Sequence, residues 1–320
     1  MPSLISEGNR LQRAGAPRIR RQKVAVTLVR APNHTSGSLG FNLVKEGIDM
    51  ARVRLVLMGM VSIALLVVLL PLRWGAAHGA PHAGNGDGQR VPVLVELFTS
   101  EGCSDCPPAD TLLERLDRSQ PVGDAELIVL SEHVDYWDGI GWRDPYSSRE
   151  YTERQGAYAM QFGLGSVYTP QMVVDGRFQL VGSDERGAIT AIENATKTEK
   201  IPVTVTLIRW ESDGMATLHV STGQVPHFLA TSSEVLIAAA DESDESYVEH
   251  GENEGRTLKH VAVLRSLTRV GTIDGSGKFS QEVKVKLHRG GKRGNLRIVA
   301  IVQEAPAGRV LGVGSARLSN

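Results

Sequence analysis

The sequence predicts an α/β domain with the element order β-α-β-α-β-β-α, followed by an all-β, sandwich-like module. Three observations predict it. Between Val91 and Lys197, short apolar runs alternate with helical patterns. After Ile201 the periodicity changes, with Val203, Val205 and Leu207 alternating with threonines and no convincing helix thereafter. The only two cysteines of the chain lie together, where Val95-Glu96-Leu97-Phe98 leads through Thr99-Ser100-Glu101-Gly102 to Cys103-Ser104-Asp105-Cys106-Pro107-Pro108.

Each element has its own signal. Val91 to Phe98 is a valine-rich run that reads as a buried strand. Pro107 and Pro108 suit the first turn of a helix, where no amide donor is needed, and Leu112, Leu113 and Leu116 give that helix an apolar face up to Arg118. Leu127 to Val134 is a second strand, and Ser147 to Phe162 a helix with Ser147 or Ser148 as cap and Glu150 in its first turn. Met172–Asp175 and Phe178–Val181 flank the turn signal Asp175-Gly176. Ser183 or Asp184 caps a last helix that ends near Lys197. The central strands are expected to be parallel, with the hairpin supplying antiparallel edges. Beyond 199, strands are expected over 216–221, 233–240, 260–270, 279–287, 296–302 and 310–318. The acidic stretch from Asp241 to Gly255 reads as a solvated hairpin loop. The expected domains are therefore 91–198 and 199–320.

At 320 residues the chain has room for two domains and a tail, and its net charge of -1 gives no footprint for nucleic acid. Residues 55–72 are almost unbroken in their apolar character, with Arg52 and Arg54 before them and Arg73 after. Segment 50–80 therefore reads as a signal peptide or a single transmembrane anchor, with small residues at 75–77 and 79–80 available for cleavage. Met50 stands where a signal peptide would begin, which makes 1–49 a mis-called start or a disordered extension. If the longer form is made, Arg10, Arg13, Arg18, Arg20 and Arg21 favour a cytoplasmic N-terminus. Residues 81–90 are a linker. The remainder is expected to be periplasmic or secreted, or held at the inner membrane by 55–72, with no other membrane contact.

A strand running into C-x-x-C at a helix start is how thioredoxin-like proteins present a redox dithiol. The first thiol sits near the positive helix end, which stabilises its thiolate, and the second can resolve a mixed disulfide. Cys103 is then the nucleophile and Cys106 the resolving thiol, although Asp105 opposes thiolate formation. In an exported chain the pair has no partner but itself, a metal or a substrate. A structural disulfide remains open, as does a metal site of Cys103, Cys106 and His133, whose soft thiolates would favour Cu(I). Glu96 is either a buried carboxylate that shuttles protons to the resolving cysteine or a strand-edge residue facing solvent. His133, ending the second strand, is an acid/base, a metal ligand or simply hydrogen-bonded. Thr169-Pro170 stands where a thioredoxin-like fold places a cis proline beside the dithiol, leaving the preceding backbone to dock substrate. Trp137 and Tyr168 belong to an aromatic concentration, from Tyr136 to Tyr168, that suits a specialised rim. Asp135 and Asp138 lack the spacing of a metal motif. No cofactor is called for.

Segments 96–110, His133-Val134-Asp135-Tyr136-Trp137-Asp138, Gly141-Trp142-Arg143-Asp144, Thr152-Glu153-Arg154-Gln155 and Tyr168-Thr169-Pro170-Gln171 together resemble one family. It is an exported bacterial thioredoxin-like family, catalogued as domain of unknown function 1223 and often labelled "secreted protein". Residues 253–267 are similar to its second half. The resemblance implies the fold and export but no established substrate. Compared with ordinary thioredoxins, one extra residue separates Glu96 from Cys103, and the region from His133 to Gln155 is added at the rim. The expected function is an exported thiol–disulfide oxidoreductase acting on thiols or disulfides of exported proteins, or on one redox partner. A metal-handling protein and a non-catalytic cell-envelope binding module are the alternatives.

Overall fold

Continuous burial from Val93 to Thr99, on both faces, makes Val91–Thr99 (β1) a central strand, and the strands around it build the sheet that carries the cysteines. The structure, a computed structural model, describes residues 90–318 except 212–213, 231, 274 and 288–292. The expected extension, the leader or anchor and nearly all of the linker lie outside the described residues. Among the described residues no helix is long and apolar enough to cross a membrane.

The first half follows the expected element order. β1 leads through the cysteine loop into α1 (Pro107–Ser119), then β2 (Ala125–His133), α2 (Arg149–Gln161), β3 (Gln171–Val174), β4 (Phe178–Val181) and α3 (Glu185–Ala195). Local chemistry sets the boundaries. Pro107 and Pro108 open α1, and Gln120 closes it in the left-handed region (φ 47°). The Ser148 hydroxyl caps α2 by accepting from Glu150 N, and Asp184 caps α3 by accepting from Gly187 N. Asp175 and Gly176 both have positive φ, at 53° and 62°, as the central residues of the turn that Arg177 N closes onto Val174 O. β2 runs parallel to β1, while β3 pairs antiparallel with β1 and β4 with β3.

The period of two along β1 and β2 divides their side chains. Val93, Val95, Leu97, Leu127 and Val129 pack with Leu112, Leu113 and Leu116 of α1 and Ile192 of α3. Leu94, Ile128 and Leu130 pack on the opposite face with Tyr151 of α2.

The second half comprises β5 (Val203–Trp210), β6 (Met215–Thr222), the short α4 (His227–Ala230), β7 (Ser233–Tyr247), β8 (Thr257–Thr272), β9 (Ser280–Lys286), β10 (Leu296–Glu304) and β11 (Val310–Leu318). Two expectations change here. The sheet does not divide at 198/199: β8 pairs in parallel with β2, through Ser131 and Val263, giving one eight-stranded sheet ordered β11-β10-β7-β8-β2-β1-β3-β4. β5, β6 and β9 form a separate three-stranded antiparallel sheet. Its Val205, Leu218, Val220 and Val285 pack on Val235, Ile237, Ile298 and Ala300 of the large sheet.

The acidic stretch is the second change. β7 continues through it to Tyr247, paired with 257–263 of β8, so that only residues 248–256 form the loop. The arrangement is also tied by charge. Buried Arg297 on β10 holds Asp117 of α1, at 2.8 and 3.0 Å, and Glu242 of β7, at 2.6 Å.

Candidate functional site

Cys103 and Cys106 are bonded to each other, with Cα atoms 5.4 Å apart, in the turn that opens α1. The turn is tight because Cys103 N donates to Ser100 O and Cys106 N to Cys103 O, each at 3.2 Å. Cys106 is the N-cap of α1, and Ala109 N and Asp110 N both donate to its carbonyl. Both sulfur-bearing residues are buried, Cys103 at 2% exposure and Cys106 at 0%.

Their cover is the 248–256 loop of the β7–β8 hairpin. Asn253, itself fully buried, donates from Nδ2 to Glu101 O at 2.8 Å and to Cys103 O at 2.9 Å. Arg256 orients it by donating to its Oδ1 at 2.8 Å. Ser104 N donates to Glu252 Oε2 at 3.0 Å. Below, Gly251 and Gly141, with φ of +87° and +100°, let two backbones meet where a Cβ on Gly141 would lie 3.4 Å from Gly251 Cα.

Three of the residues expected at the rim are brought to the cysteine loop. The Thr169–Pro170 bond is cis. The Phe98–Gln171 pairing sets Pro170 at the same end of the sheet as the disulfide, and Pro170 and Ala109 both flank Gly182. Trp137 donates from Nε1 to Thr169 Oγ1 at 2.8 Å, while its Cβ lies 3.1 Å from where Gly102 would carry one. Tyr168 instead donates its hydroxyl to Gln179 on β4 at 2.7 Å. Asp135 and Asp138 brace the inserted segment, accepting from Thr152 Oγ1 at 2.6 Å and Ser147 Oγ at 2.7 Å.

Glu96 is buried but does not serve the dithiol. The strand alternation turns it to the face opposite Leu97 and α1, where Arg154 of α2 donates to it from Nε (2.8 Å) and Nη2 (2.5 Å) and Tyr158 from its hydroxyl (2.6 Å). Gln303 of β10 completes the group, bonded to both Arg154 and Tyr158. Glu132 lies alongside, 3.6 Å from the guanidinium, with neither carboxyl oxygen hydrogen-bonded. Burial, then the charge of Glu96, pushes Glu132 far above the usual carboxylate range.

The polar cluster that does adjoin the disulfide lies on the α1 face and centres on Glu101. The Glu101 carboxylate accepts from Trp142 Nε1 at 2.7 Å and from Ser246 Oγ, and meets His260 Nε2 at 3.2 Å. Its backbone N–H donates to Asp144 Oδ2 at 2.8 Å, the oxygen that also holds His133 Nδ1 at 2.7 Å. Burial alone would lower the pKa of His133; the charge and hydrogen bond of Asp144 outweigh it and raise it. Asp144 responds in the other sense: burial would raise it, but the His133 charge and hydrogen bond hold it below its ordinary value. The His133 and His260 rings meet edge to face, centroids 4.7 Å apart. Asp110, one helical turn after Cys106, completes the cluster with Oδ2 3.9 Å from His260 Nδ1, and burial raises its pKa.

His133 was legible as a rim residue in the sequence. Glu101, Asp110, Asp144, Asn253 and His260 lie in the segments 96–110, 141–144 and 253–267 that carry the resemblance, but their convergence has no local signal in the sequence. Among the described residues no three His, Cys, Asp or Glu side chains are grouped to hold a metal ion.

A mixed α/β protein with a buried disulfide at a helix start, covered by a hairpin loop, is the class that fold and site define. The chain belongs to the protein family of unknown function DUF1223, whose family model matches residues 94–303. A crystal structure of a protein from Agrobacterium tumefaciens is similar over 73% of this chain and 97% of its own, with 27% identity and a TM-score of 0.57. HBP35 of Porphyromonas gingivalis shares the fold at 15% identity, over 72% of this chain and 77% of its own, with a TM-score of 0.53. No curated protein matches the chain.

Proposed function

We propose that the chain is an exported thiol–disulfide oxidoreductase whose first half is thioredoxin-like, acting on the thiols or disulfides of exported proteins through Cys103 and Cys106. The observation that carries the reading is the placement of the bonded pair: at the N-terminus of α1, flanked by Trp137, Thr169 and cis-Pro170. The positive end of the α1 dipole favours a thiolate at Cys103, and Cys106 within the same turn is placed to resolve a mixed disulfide. The apolar run at 55–72 supports export, and the net charge of -1 gives no reason to expect nucleic acid. Because both cysteines are covered, exchange requires residues 248–256 to move aside, which restricts the substrate to partners that displace Asn253.

The test is the reduction potential of the pair, with Cys106→Ala used to trap partners as mixed disulfides. A reversible couple and captured exported proteins are expected; the absence of a reversible couple sinks the proposal. The burial of both sulfurs favours a second reading, a non-catalytic envelope-binding module in which the disulfide is a staple. Full activity of a double Cys→Ala variant in vivo would select it.

A further inference from the structure

Beside α1 an open cavity of about 1110 Å³ separates the helix from the outer part of the β7–β8 hairpin. Charged residues such as Glu114, Glu245 and Lys259 line its walls, and its lining reaches inward to Tyr146 and His260. His260 is 4% exposed, so it marks the deep end. Its Nε2 meets Glu101, while Nδ1 has no hydrogen-bond partner and faces Asp110 Oδ2 at 3.9 Å. Asp110 Oδ1 is likewise buried without a partner. Residues four apart on a helix share a face, with Cβ atoms about 5–6 Å apart, so Asp110 and Cys106 are neighbours. The groups facing Asp110 are His260 from β8, His133 from β2, Asp144 from the segment before α2 and Thr99 from β1.

We propose that Asp110 is the acid–base partner of Cys106 and that it exchanges its proton with solvent through His260 and this cavity, by a route separate from the one substrate takes. The inference rests on the oxidoreductase reading. In the reductive half-reaction a substrate thiolate attacks Cys103 Sγ, the Cys103–Cys106 bond breaks, and its electron pair leaves on Cys106 Sγ. The Asp110 carboxyl gives that sulfur its proton, and His260 returns one from the cavity. The second substrate thiol loses its proton and attacks the substrate sulfur of the mixed disulfide, releasing Cys103 as a thiolate that takes up a proton. Two electrons and two protons have then passed from the substrate dithiol, which leaves as a disulfide, to the cysteine pair. Burial favours the neutral carboxyl and so raises the proton affinity of Asp110, against the opposing charges of His260 and His133. The cover formed by Asn253 and Glu252 closes the sulfur side, so the proton needs this second way in.

The experiment measures the rate of disulfide reduction by dithiothreitol against pH, corrected for the reagent's thiolate fraction, in wild type, Asp110→Asn and Asp110→Glu. Wild type should show one ionisation that Asp110→Asn removes, slowing reduction about tenfold or more, within the range of general acid catalysis; Asp110→Glu should restore it. A wild-type disulfide that no pH allows to be reduced defeats the oxidoreductase reading and this proposal together. Normal reduction with an unchanged profile in Asp110→Asn defeats the Asp110 assignment alone. Should Asp110→Asn fail to fold, carbon-13 titration of the Asp110 carboxyl in wild type decides. Its midpoint must coincide with the kinetic ionisation, and a mismatch overturns the assignment.

Discussion

At Glu96 and Glu132 two buried carboxylates meet the single guanidinium of Arg154, so one charge has no counter-ion. Glu96 takes the direct hydrogen bonds, while burial and the charge of Glu96 push Glu132 towards its neutral form. Glu132→Gln should then change stability by less than about 1 kcal/mol, whereas Arg154→Met, which strands Glu96, should cost about 3–5 kcal/mol. Urea unfolding at neutral pH distinguishes them; equal losses would mean that Glu132 is ionised. The same residues show what the sequence could reveal. That Glu96 is buried in an apolar strand was legible, but which face receives α1 was not. Strand alternation alone leaves the two faces equivalent until the partner helices are known.

At the scale of elements, the loop over the disulfide is held by the side chains of Asn253 and Glu252, of which Asn253 is the buried one. Asn253→Ala removes three hydrogen bonds, the one accepted from Arg256 included, and leaves the carbonyls of Glu101 and Cys103 without that donor. A loss of about 1–3 kcal/mol follows from unsatisfied buried acceptors. Reduction by a small phosphine should accelerate several-fold as the cover loosens, and an unchanged rate would show that residues 248–256 are not the barrier. The elements of the first half were legible almost to the residue because caps, prolines and the Asp175-Gly176 turn are local signals. The extension of β7 was hidden. Residues 241–247 carry the composition of a loop, and only their pairing with β8 makes them a strand.

For the whole molecule, the shared sheet means that the two halves do not stand alone. A fragment ending at residue 198 would strip β8 from β2 and expose Leu94, Ile128 and Leu130, which pack with Leu264 of β8 and Leu236 of β7. It should lack cooperative unfolding by circular dichroism, and a sharp transition would restore the boundary expected there. Buried ionisable groups also give stability a pH slope. His133 has a raised pKa, so its contribution is full below its unfolded value, about 6.5, and fades as pH rises through the folded value. Asp110 and Asp244 are raised too, Asp244 to about 6, and their ionisation removes stability in the same direction between their unfolded values, about 3.9, and the folded ones. Asp144 acts oppositely, losing its contribution only as pH falls through its lowered value. Stability should therefore decline from mildly acid to alkaline pH, and His133→Gln should flatten the upper part of that decline in denaturant titrations.

The β7–β8 hairpin reaches both the small sheet and the cysteine loop. Its strands are 15 and 16 residues long, about 50 Å at ~3.3 Å per residue, with one end seated in the core under the small sheet and the other on Cys103. It behaves as a beam with both ends loaded. By reciprocity, whatever the oxidation state does to the grip of Asn253, tightening that grip must do to the oxidation equilibrium.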